Sequence, residues 1–194
     1  MKNLIIPNLP DPIGKRIVVI GGGFAGIEFA KKISTKYYQV VLLDKNNYHQ
    51  FQPLLYQVAT AGIEPSAISY PFRKLFQNKD NFHFRVAEVT RVNTDLQELN
   101  TSVGQIKYDI LVLAMGATTN FYGNSLLEKT SFKLKSTTEA LNFRNSIIRK
   151  FEEALLTSDE NERQPLLNFV IVGGGPTGVE VSGALAEMKS HILP

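Results

Sequence analysis

A glycine pattern with the spacing G-x-G-x-x-G occurs twice in this chain. Its members are Gly21, Gly23 and Gly26 in the first copy and Gly173, Gly175 and Gly178 in the second. In such a motif the first glycine allows a tight turn, the second lets the backbone approach a pyrophosphate, and the third lets helix and strand pack closely. The pyrophosphate lies on the N-terminus of the following helix, where free N–H groups and the helix dipole stabilise negative charge. The chain therefore predicts two dinucleotide sites.

The flanking segments supply the elements that this motif requires. Residues 16–20 and 169–172 are short, continuously apolar runs, typical of strands buried on both faces of a parallel sheet. A helical pattern follows each loop. The residues that recur on one helical face are Gly26, Ala30, Ile33 and Tyr37 in the first helix, and Gly178, Ser182, Leu185 and Ala186 form a narrow face of small residues in the second. Each copy is thus predicted to be a strand, a turn and a helix.

An acidic residue accompanies the first motif. Asp44 ends the apolar segment QVVLLD and follows Gly26 at about the spacing of a ribose-binding acid. A carboxylate there accepts hydrogen bonds from ribose hydroxyls and repels a 2′-phosphate. The alternative is a tight turn that ends in a solvated aspartate. The strand, the spacing and the acid together favour the nucleotide site, whereas the second motif shows no partner acid.

The remaining segments suggest how the chain continues. A proline-containing stretch after Asp44 is interpreted as a loop with short helices, and residues 82–93 and 106–114 are interpreted as strands, the latter buried. Ser136 and Glu139 form a capping-box pattern that opens a helix to about Leu156. Its apolar face is predicted to contain Leu141, Ile148, Phe151 and Leu155.

The predicted fold class is α/β, a Rossmann-like FAD/NAD(P)-binding fold with a parallel sheet, followed by the start of a second Rossmann-like domain. We predict a dinucleotide-binding domain over residues 1–125, incomplete, a connecting segment and helix over 126–166, and the start of a second dinucleotide-binding domain over 167–194. Too few residues follow Gly178 for the next strand and its acid. We therefore expect a longer protein.

Composition excludes several classes of function. The chain has no cysteine and three histidines, so a redox-active dithiol is excluded from these residues and no metal site is predicted. No run reaches the roughly 18 apolar residues of a membrane span. The N-terminal apolar run Leu4-Ile5-Ile6 is too short for a signal peptide, so a cytoplasmic location is expected. A net charge of +3, without a basic and aromatic cluster, disfavours nucleic-acid binding. Arg73, Lys74 and Lys79 are interpreted as a solvated face.

Four segments carry a resemblance to a known family. They are IVVIGGGFAGIEFA, LLDKNNYHQFQPLLYQVATAG, YDILVLAMGA and FVIVGGGPTGVEVSGALAE, in this order. With them the chain resembles the N-terminal part of the type II (alternative, non-proton-pumping) NADH:quinone dehydrogenases, FAD flavoproteins with two dinucleotide-binding domains. The resemblance covers residues 15–194 and about half of a family member. It implies that the NADH domain is inserted within the FAD domain, and that later segments supply quinone and membrane contact.

The resemblance also implies which residues hold FAD. The pyrophosphate would contact Gly21, Gly23, Phe24, Ala25 and Gly26, the ribose Asp44, and the adenine side Lys45 and the backbone near Val89. The isoalloxazine would approach Gln52, Pro53 and Leu54, and the phosphate arm Ala114, Gly116 and Ala117. Met115 departs from the threonine common in that last motif, so a hydroxyl contact is not expected there. On pattern alone, Leu54 is a core residue in preference to a flavin contact, and His49 is a loop hydrogen-bonding residue in preference to a proton donor.

For NADH, the resemblance implies contacts with Gly173, Gly175, Thr177 and Gly178, with Glu180 near the nicotinamide. Glu180 is the only candidate catalytic residue, and an acid in a first helical turn is equally explained by the helix dipole. The implied activity passes hydride from NADH to the flavin and electrons on to a quinone, with the complete protein peripheral on the inner face of the cell membrane. The alternatives are a reductase of a small electron-transfer protein and a nucleotide-binding redox sensor or remnant without turnover.

The isolated 194-residue chain is expected to differ from a complete family member. We expect it to bind FAD poorly, to lack NADH oxidation, and to expose apolar surface or cover it with another chain, including a second copy. That surface is predicted around Val170, Val172, Val179 and Leu185.

Overall fold

A computed structural model describes residues 9–191 of the chain, so Leu4-Ile5-Ile6 lies outside the described residues. The residues form two compact units. The first comprises Met1–His49 and Tyr70–Ala117, and the second comprises Gln50–Ser69 and Thr118–Pro194. The predicted boundaries at residues 125 and 166 remain a prediction about domains of the complete protein.

Strands and helices alternate in the first part of the chain, and helices dominate the second. The strands are β1 (Lys15–Ile20), β2 (Tyr38–Asp44), β3 (Tyr48–Gln50), β4 (Ser69–Pro71), β5 (Phe82–Val86), β6 (Val89–Asn93), β7 (Glu98–Thr101), β8 (Gly104–Lys107) and β9 (Ile110–Leu113). The helices are α1 (Phe24–Lys32), α2 (Leu55–Ala59), α3 (Phe72–Leu75), α4 (Ser125–Thr130), α5 (Thr137–Leu155), α6 (Glu160–Leu167) and α7 (Pro176–His191). Two 3₁₀ turns occupy Gln52–Leu54 and Pro65–Ile68.

A parallel four-stranded sheet forms the centre of the first unit, in the order β5-β2-β1-β9. Its register aligns Val18 with Val41 and with Leu111 on the other side. An antiparallel three-stranded sheet has the order β6-β7-β8, and β3 pairs with β4. The helix α1 connects β1 to the parallel strand β2, as a βαβ crossover requires. The predicted α/β class with a parallel sheet is confirmed.

Both faces of the parallel sheet are buried, which explains why β1 and β2 are continuously apolar. One face packs against α1 and α3, through Ile17, Val19, Leu42 and the ring of Phe72. The opposite face packs against the antiparallel sheet. Its buried cluster is Val18, Ile20, Val41, Leu43, Ala87, Leu99, Ile106 and Tyr108. The first unit therefore has three layers, with the carboxyl ends of β1 and β2 leading directly to the first glycine loop and to Asp44.

In the second unit, α2 packs against α5 around a small apolar cluster. Leu55, Val58 and Ala59 of α2 are buried with Ile68 and with Ala140 of α5. The predicted capping box is confirmed, since the Ser136 side chain accepts from Glu139 N and the Glu139 side chain accepts from Ser136 N. These two bonds satisfy N–H groups that have no acceptor within the helix.

Several predicted buried positions are wrong. The buried residues of α5 are Thr137, Ala140, Ile147 and Ala154, whereas Leu141 and Phe151 of the predicted face are half-buried. Ile148 and Leu155 are exposed, so the prediction is wrong at these two positions. Tyr37 lies beyond the end of α1 and is exposed. The predicted strand over residues 106–114 is divided between β8 and β9, and β9 is partly exposed because it is an edge of the parallel sheet.

The strand predicted at residues 169–172 is not formed. This segment has no helical or strand structure, and Val170 is 80% exposed. A strand exists only where a neighbouring strand satisfies its N–H and C=O groups, and no segment within residues 9–191 pairs with it. Val172 and Val179 are also exposed, as predicted, whereas Leu185 is half-buried. Among the described residues, no helix is both long enough and apolar enough to cross a membrane.

Candidate dinucleotide-binding site

The first glycine loop leaves β1 through a conformation that favours glycine. Gly21 has φ +100°, and a Cβ at this position would lie 2.3 Å from the carbonyl oxygen of Ala114. The Gly21 N–H donates to the carbonyl of Leu43 at 2.8 Å, which ties the loop to the end of β2. Both the backbone angle and the close approach therefore exclude a side chain at Gly21.

The second and third glycines of the loop have opposite surroundings. A Cβ on Gly26 would lie 1.9 Å from the carbonyl oxygen of Gly21, so α1 can pack on the loop only without a side chain there. A Cβ on Gly23 would meet no atom within 4 Å among the described residues. Gly23 also has φ −72°, which any residue can adopt. Among the described residues, the protein itself therefore gives no steric reason for a glycine at position 23.

The helix α1 presents its N-terminus at this loop. Gly23 is its N-cap and provides no side-chain cap, and the first turn contains no acidic residue. The first N–H groups of a helix lack acceptors within the helix, and the dipole adds partial positive charge. The opposite end of α1 is capped by Lys79, whose Nζ donates to the carbonyls of Ala30, Lys31 and Ile33 at 2.6, 2.8 and 2.8 Å. The interpretation of Lys79 as part of a solvated face is therefore wrong.

Asp44 lies directly beside the glycine loop. Its Oδ2 accepts from Gly22 N at 2.7 Å, and its Oδ1 accepts from Asn46 N at 2.8 Å. The predicted association of this acid with the first motif is thus present in three dimensions. Each carboxylate oxygen keeps further lone pairs for ribose hydroxyls. The adjacent Lys45 is exposed.

Two aromatic side chains hold the loop from outside the motif. His49 Nδ1 lies 3.1 Å from the carbonyl oxygen of Gly22, and its ring makes an edge contact with Phe24 at 5.3 Å between centroids. The interpretation of His49 as a loop hydrogen-bonding residue agrees with this contact. Phe72 is fully buried under the loop, where a Cβ on Gly22 would lie 2.1 Å from its ring. Sequence reasoning missed Phe72, because no local pattern relates it to the glycine motif.

The other predicted FAD residues lie in different parts of the chain. The Ala114 N–H donates to the carbonyl of Ile20 at 2.8 Å, and the segment then continues through exposed Gly116, with φ +72°, and exposed Ala117. Val89 is half-buried against the face of the sheet that contains Val18. Gln52, Pro53 and Leu54 belong to the second unit, where Leu54 packs against the cluster around Leu55. Leu54 therefore packs as a core residue, and the flavin contacts of Gln52, Pro53 and Leu54 remain a prediction.

The second glycine loop shares part of the geometry of the first. Gly173 has φ +112°, and a Cβ on Gly178 would lie 2.1 Å from the Gly173 carbonyl oxygen. A Cβ on Gly175 would meet no atom within 4 Å among the described residues, as at Gly23. Thr177 is exposed in the first turn of α7, whereas Glu180, predicted in that turn, is exposed just beyond it, so the first turn contains no acidic residue. Both loops thus combine a positive φ at the first glycine, a closed third glycine and an open second one, but a Cβ on Gly173, unlike one on Gly21, would meet no described atom within 4 Å, and no strand precedes the second loop.

One histidine away from the glycine loops has an unusual environment. His83 lies on β5, and its buried Nε2 has no hydrogen-bond partner within residues 9–191. Burial, together with the positive charges of Arg85 and Arg16, lowers the pKa of His83 below its ordinary value. Across the same residues, no group of three or more His, Cys, Asp or Glu side chains is placed to hold a metal ion.

Known proteins match the chain over almost its whole length. The pyridine nucleotide-disulphide oxidoreductase family matches residues 15–193. The type II NADH:quinone oxidoreductase Ndh of Mycobacterium tuberculosis is 37% identical over 96% of this chain and 41% of its own length. The mitochondrial external alternative NAD(P)H-ubiquinone oxidoreductase B4 of Arabidopsis thaliana is 35% identical over 89% of this chain and 32% of its own length.

A solved structure shows the same arrangement. NDH2 from Plasmodium falciparum, in complex with NADH, superposes with a TM-score of 0.84 at 28% identity, over 91% of this chain and 38% of that one. The chain therefore spans well under half the length of these relatives. Because the chain has no cysteine, the disulphide chemistry in the family's name has no counterpart among its residues. The resemblance to type II NADH:quinone dehydrogenases is confirmed, and the chain belongs to the pyridine nucleotide-disulphide oxidoreductase family.

Proposed function

We propose that the chain forms the FAD-binding part, and the beginning of the NADH-binding part, of an oxidoreductase that takes hydride from NADH and passes electrons to a quinone. The observation that carries this proposal is the first glycine loop. Gly21 and Gly26 are closed by neighbouring backbone, whereas the space above Gly23 is open. A purely structural turn does not require this opening, and a pyrophosphate does.

The residues beside the loop fit the ADP half of FAD. The N–H groups at the start of α1 would bind the pyrophosphate, and Asp44 would accept from the ribose hydroxyls. The exposed segment that contains Gly116 would pass along the phosphate arm. Bound FAD supplies acceptance of hydride and delivery of electrons, so the protein's task is to bind and orient it. No side-chain nucleophile is needed, in agreement with the absence of cysteine.

The second loop is the proposed site of NADH. Its open Gly175 and closed Gly178 correspond to Gly23 and Gly26 of the first loop, which supports binding of a second pyrophosphate at Gly175 and Thr177. Glu180 would lie on the nicotinamide side. The quinone as acceptor is supported by the names of the relatives from Mycobacterium tuberculosis and Arabidopsis thaliana. Peripheral membrane contact, on the inner face of the cell membrane, would come from a C-terminal region outside this chain.

Titration of the purified chain with FAD tests the first site. Flavin fluorescence polarisation is expected to show saturable but weak binding, with ADP as a competitor, because only the ADP half is held by residues around the loop. Light scattering of the same sample is expected to show association through the exposed valines of residues 170–179. Binding of nicotinamide dinucleotide in preference to FAD at this site would contradict the proposal.

A chimera tests the activity. This chain replaces the matching part of the Mycobacterium tuberculosis type II oxidoreductase, and the product is assayed for NADH oxidation with ferricyanide and with a short-chain quinone. We expect a yellow protein that reduces both acceptors, while the isolated chain reduces neither. A folded, flavin-loaded chimera that reduces ferricyanide but no quinone would indicate a different acceptor. A folded chimera without flavin would refute the FAD assignment.

A further inference from the structure

The peptide between Gly22 and Gly23 is held by a side chain outside the glycine motif. Gly21 N–H and Gly22 N–H are bound by groups at the end of β2, namely Leu43 O and Asp44 Oδ2. The Gly22 carbonyl is bound instead by His49 Nδ1 at 3.1 Å. His49 lies on β3, a strand of the separate two-stranded sheet. The loop is therefore clamped from two different elements.

This hydrogen bond determines the tautomer of His49. A carbonyl oxygen can only accept, so the hydrogen of the bond must be carried by Nδ1. The ring is also held by Phe24, which contacts it edge to face at 5.3 Å between centroids. The imidazole is thus fixed both in its position and in the nitrogen that donates.

The bond also sets the direction of the next N–H group. A peptide unit is planar, and no cis peptide is present in the described residues, so the C=O of Gly22 and the N–H of Gly23 point in opposite directions. Because the carbonyl points at His49, the Gly23 N–H points away from it. Glycines on both sides would otherwise let this peptide rotate between orientations at little steric cost. Phe72 limits movement of Gly22 on its other side.

We propose that His49 is a positioning residue of the first dinucleotide site. Its Nδ1–H holds the Gly22 carbonyl so that the loop is already in the orientation that binds a pyrophosphate. The inference rests on the proposed function of this loop. It assigns to His49 no contact with the reacting atoms. A preorganised loop binds its ligand more tightly, because less conformational freedom is lost on binding.

Three variants test the proposal. His49→Leu removes the donor, and His49→Asn keeps an N–H donor at the same branch point of the side chain. His83→Leu is the matched control. It also removes a partly buried histidine of the first unit, but His83 is remote in sequence and does not contact the loop. FAD affinity is measured by fluorescence polarisation, with ADP and adenosine as competitors, after thermal unfolding has shown that each variant folds. His49→Ala replaces His49→Leu if the latter does not fold.

We expect His49→Leu to weaken FAD and ADP binding by roughly 2- to 10-fold, the range for loss of one neutral hydrogen bond. Adenosine binding should stay unchanged, because adenosine has no pyrophosphate. His49→Asn should restore most of the affinity, and His83→Leu should not alter it. Unchanged ADP affinity in His49→Leu, no rescue by His49→Asn, or an equal loss for adenosine would overturn the inference alone. A wild-type chain that bound no FAD would overturn the proposed function with it.

Discussion

Gly23 and Gly26 of the first loop have opposite surroundings. Substitutions at these two positions can therefore separate the role of the loop in binding from its role in the fold. In Gly23→Ala, the added methyl meets no described atom within 4 Å, and φ is −72°, so the folded chain accommodates it. In Gly26→Ala, the methyl would lie 1.9 Å from the Gly21 carbonyl oxygen. This distance is shorter than a van der Waals contact of carbon and oxygen by more than about 1 Å. The helix α1 or the loop must therefore move by roughly that much.

These geometries predict opposite outcomes for stability. Overpacking of a closed site costs typically about 1–3 kcal/mol and sometimes more, so Gly26→Ala should lower the free energy of unfolding by at least about 2 kcal/mol. Replacement of an N-cap glycine by alanine costs at most about 1 kcal/mol, so Gly23→Ala should unfold close to the wild type. Urea unfolding followed by circular dichroism measures both variants.

FAD binding should respond in the opposite way, because Gly23→Ala acts directly on the proposed site although it leaves the stability almost unchanged. The methyl of Gly23→Ala occupies the space assigned to the pyrophosphate, and a penalty of about 1–3 kcal/mol corresponds to roughly 5- to 150-fold weaker FAD binding. Gly175→Ala is the matched variant in the second loop, where it should leave FAD binding unchanged. The reasoning is refuted if folded Gly23→Ala binds FAD and ADP as the wild type does, because the open space would then hold no phosphate.

Three further predictions concern residues around the sheet. Asp44→Ala should weaken FAD binding by roughly 1–3 kcal/mol in a titration, because it removes the ribose acceptor and the bond to Gly22 N. Asp95→Ala, which removes an exposed acid, is the control. Unchanged affinity in Asp44→Ala would reduce Asp44 to a turn residue. Lys79→Met should lower the urea-unfolding free energy by about 1–2 kcal/mol through loss of its bonds to the last carbonyls of α1, and Lys74→Met should not. The lowered pKa of His83 means that the unfolded chain binds a proton more readily, so stability present above about pH 6.5 should fall as the pH is lowered through that value. His83→Leu should flatten this dependence between pH 7 and pH 5, and an unchanged slope would contradict it.

The sequence by itself determined the local geometry of both loops. A left-handed φ at Gly21 and Gly173, and backbone contact at Gly26 and Gly178, depend on residues only five positions apart, so the motif spacing specifies them even where no strand precedes the loop. The capping box at Ser136 was predictable for the same reason. The apolar runs of β1 and β2 also predicted a sheet buried on both faces.

The tertiary structure decided everything that depends on distant partners. Residues 169–172 have the composition of a buried strand, but strand structure requires hydrogen bonds from a neighbour, which the described residues do not provide. In α5 the apolar Ile148 and Leu155 are exposed while Ala140, Ile147 and Ala154 are buried, because the elements that pack against a helix decide which of its faces is covered.

The clamp on the first loop shows the same distinction. His49, Phe72 and Lys79 lie far along the chain from Gly26, and each reaches the loop or its helix through side-chain contacts that only the packed fold brings about. Short-range spacing constrains backbone angles, because neighbouring residues share them. It does not constrain which distant side chain meets a given carbonyl or ring, because that depends on how strands and helices pack into one unit.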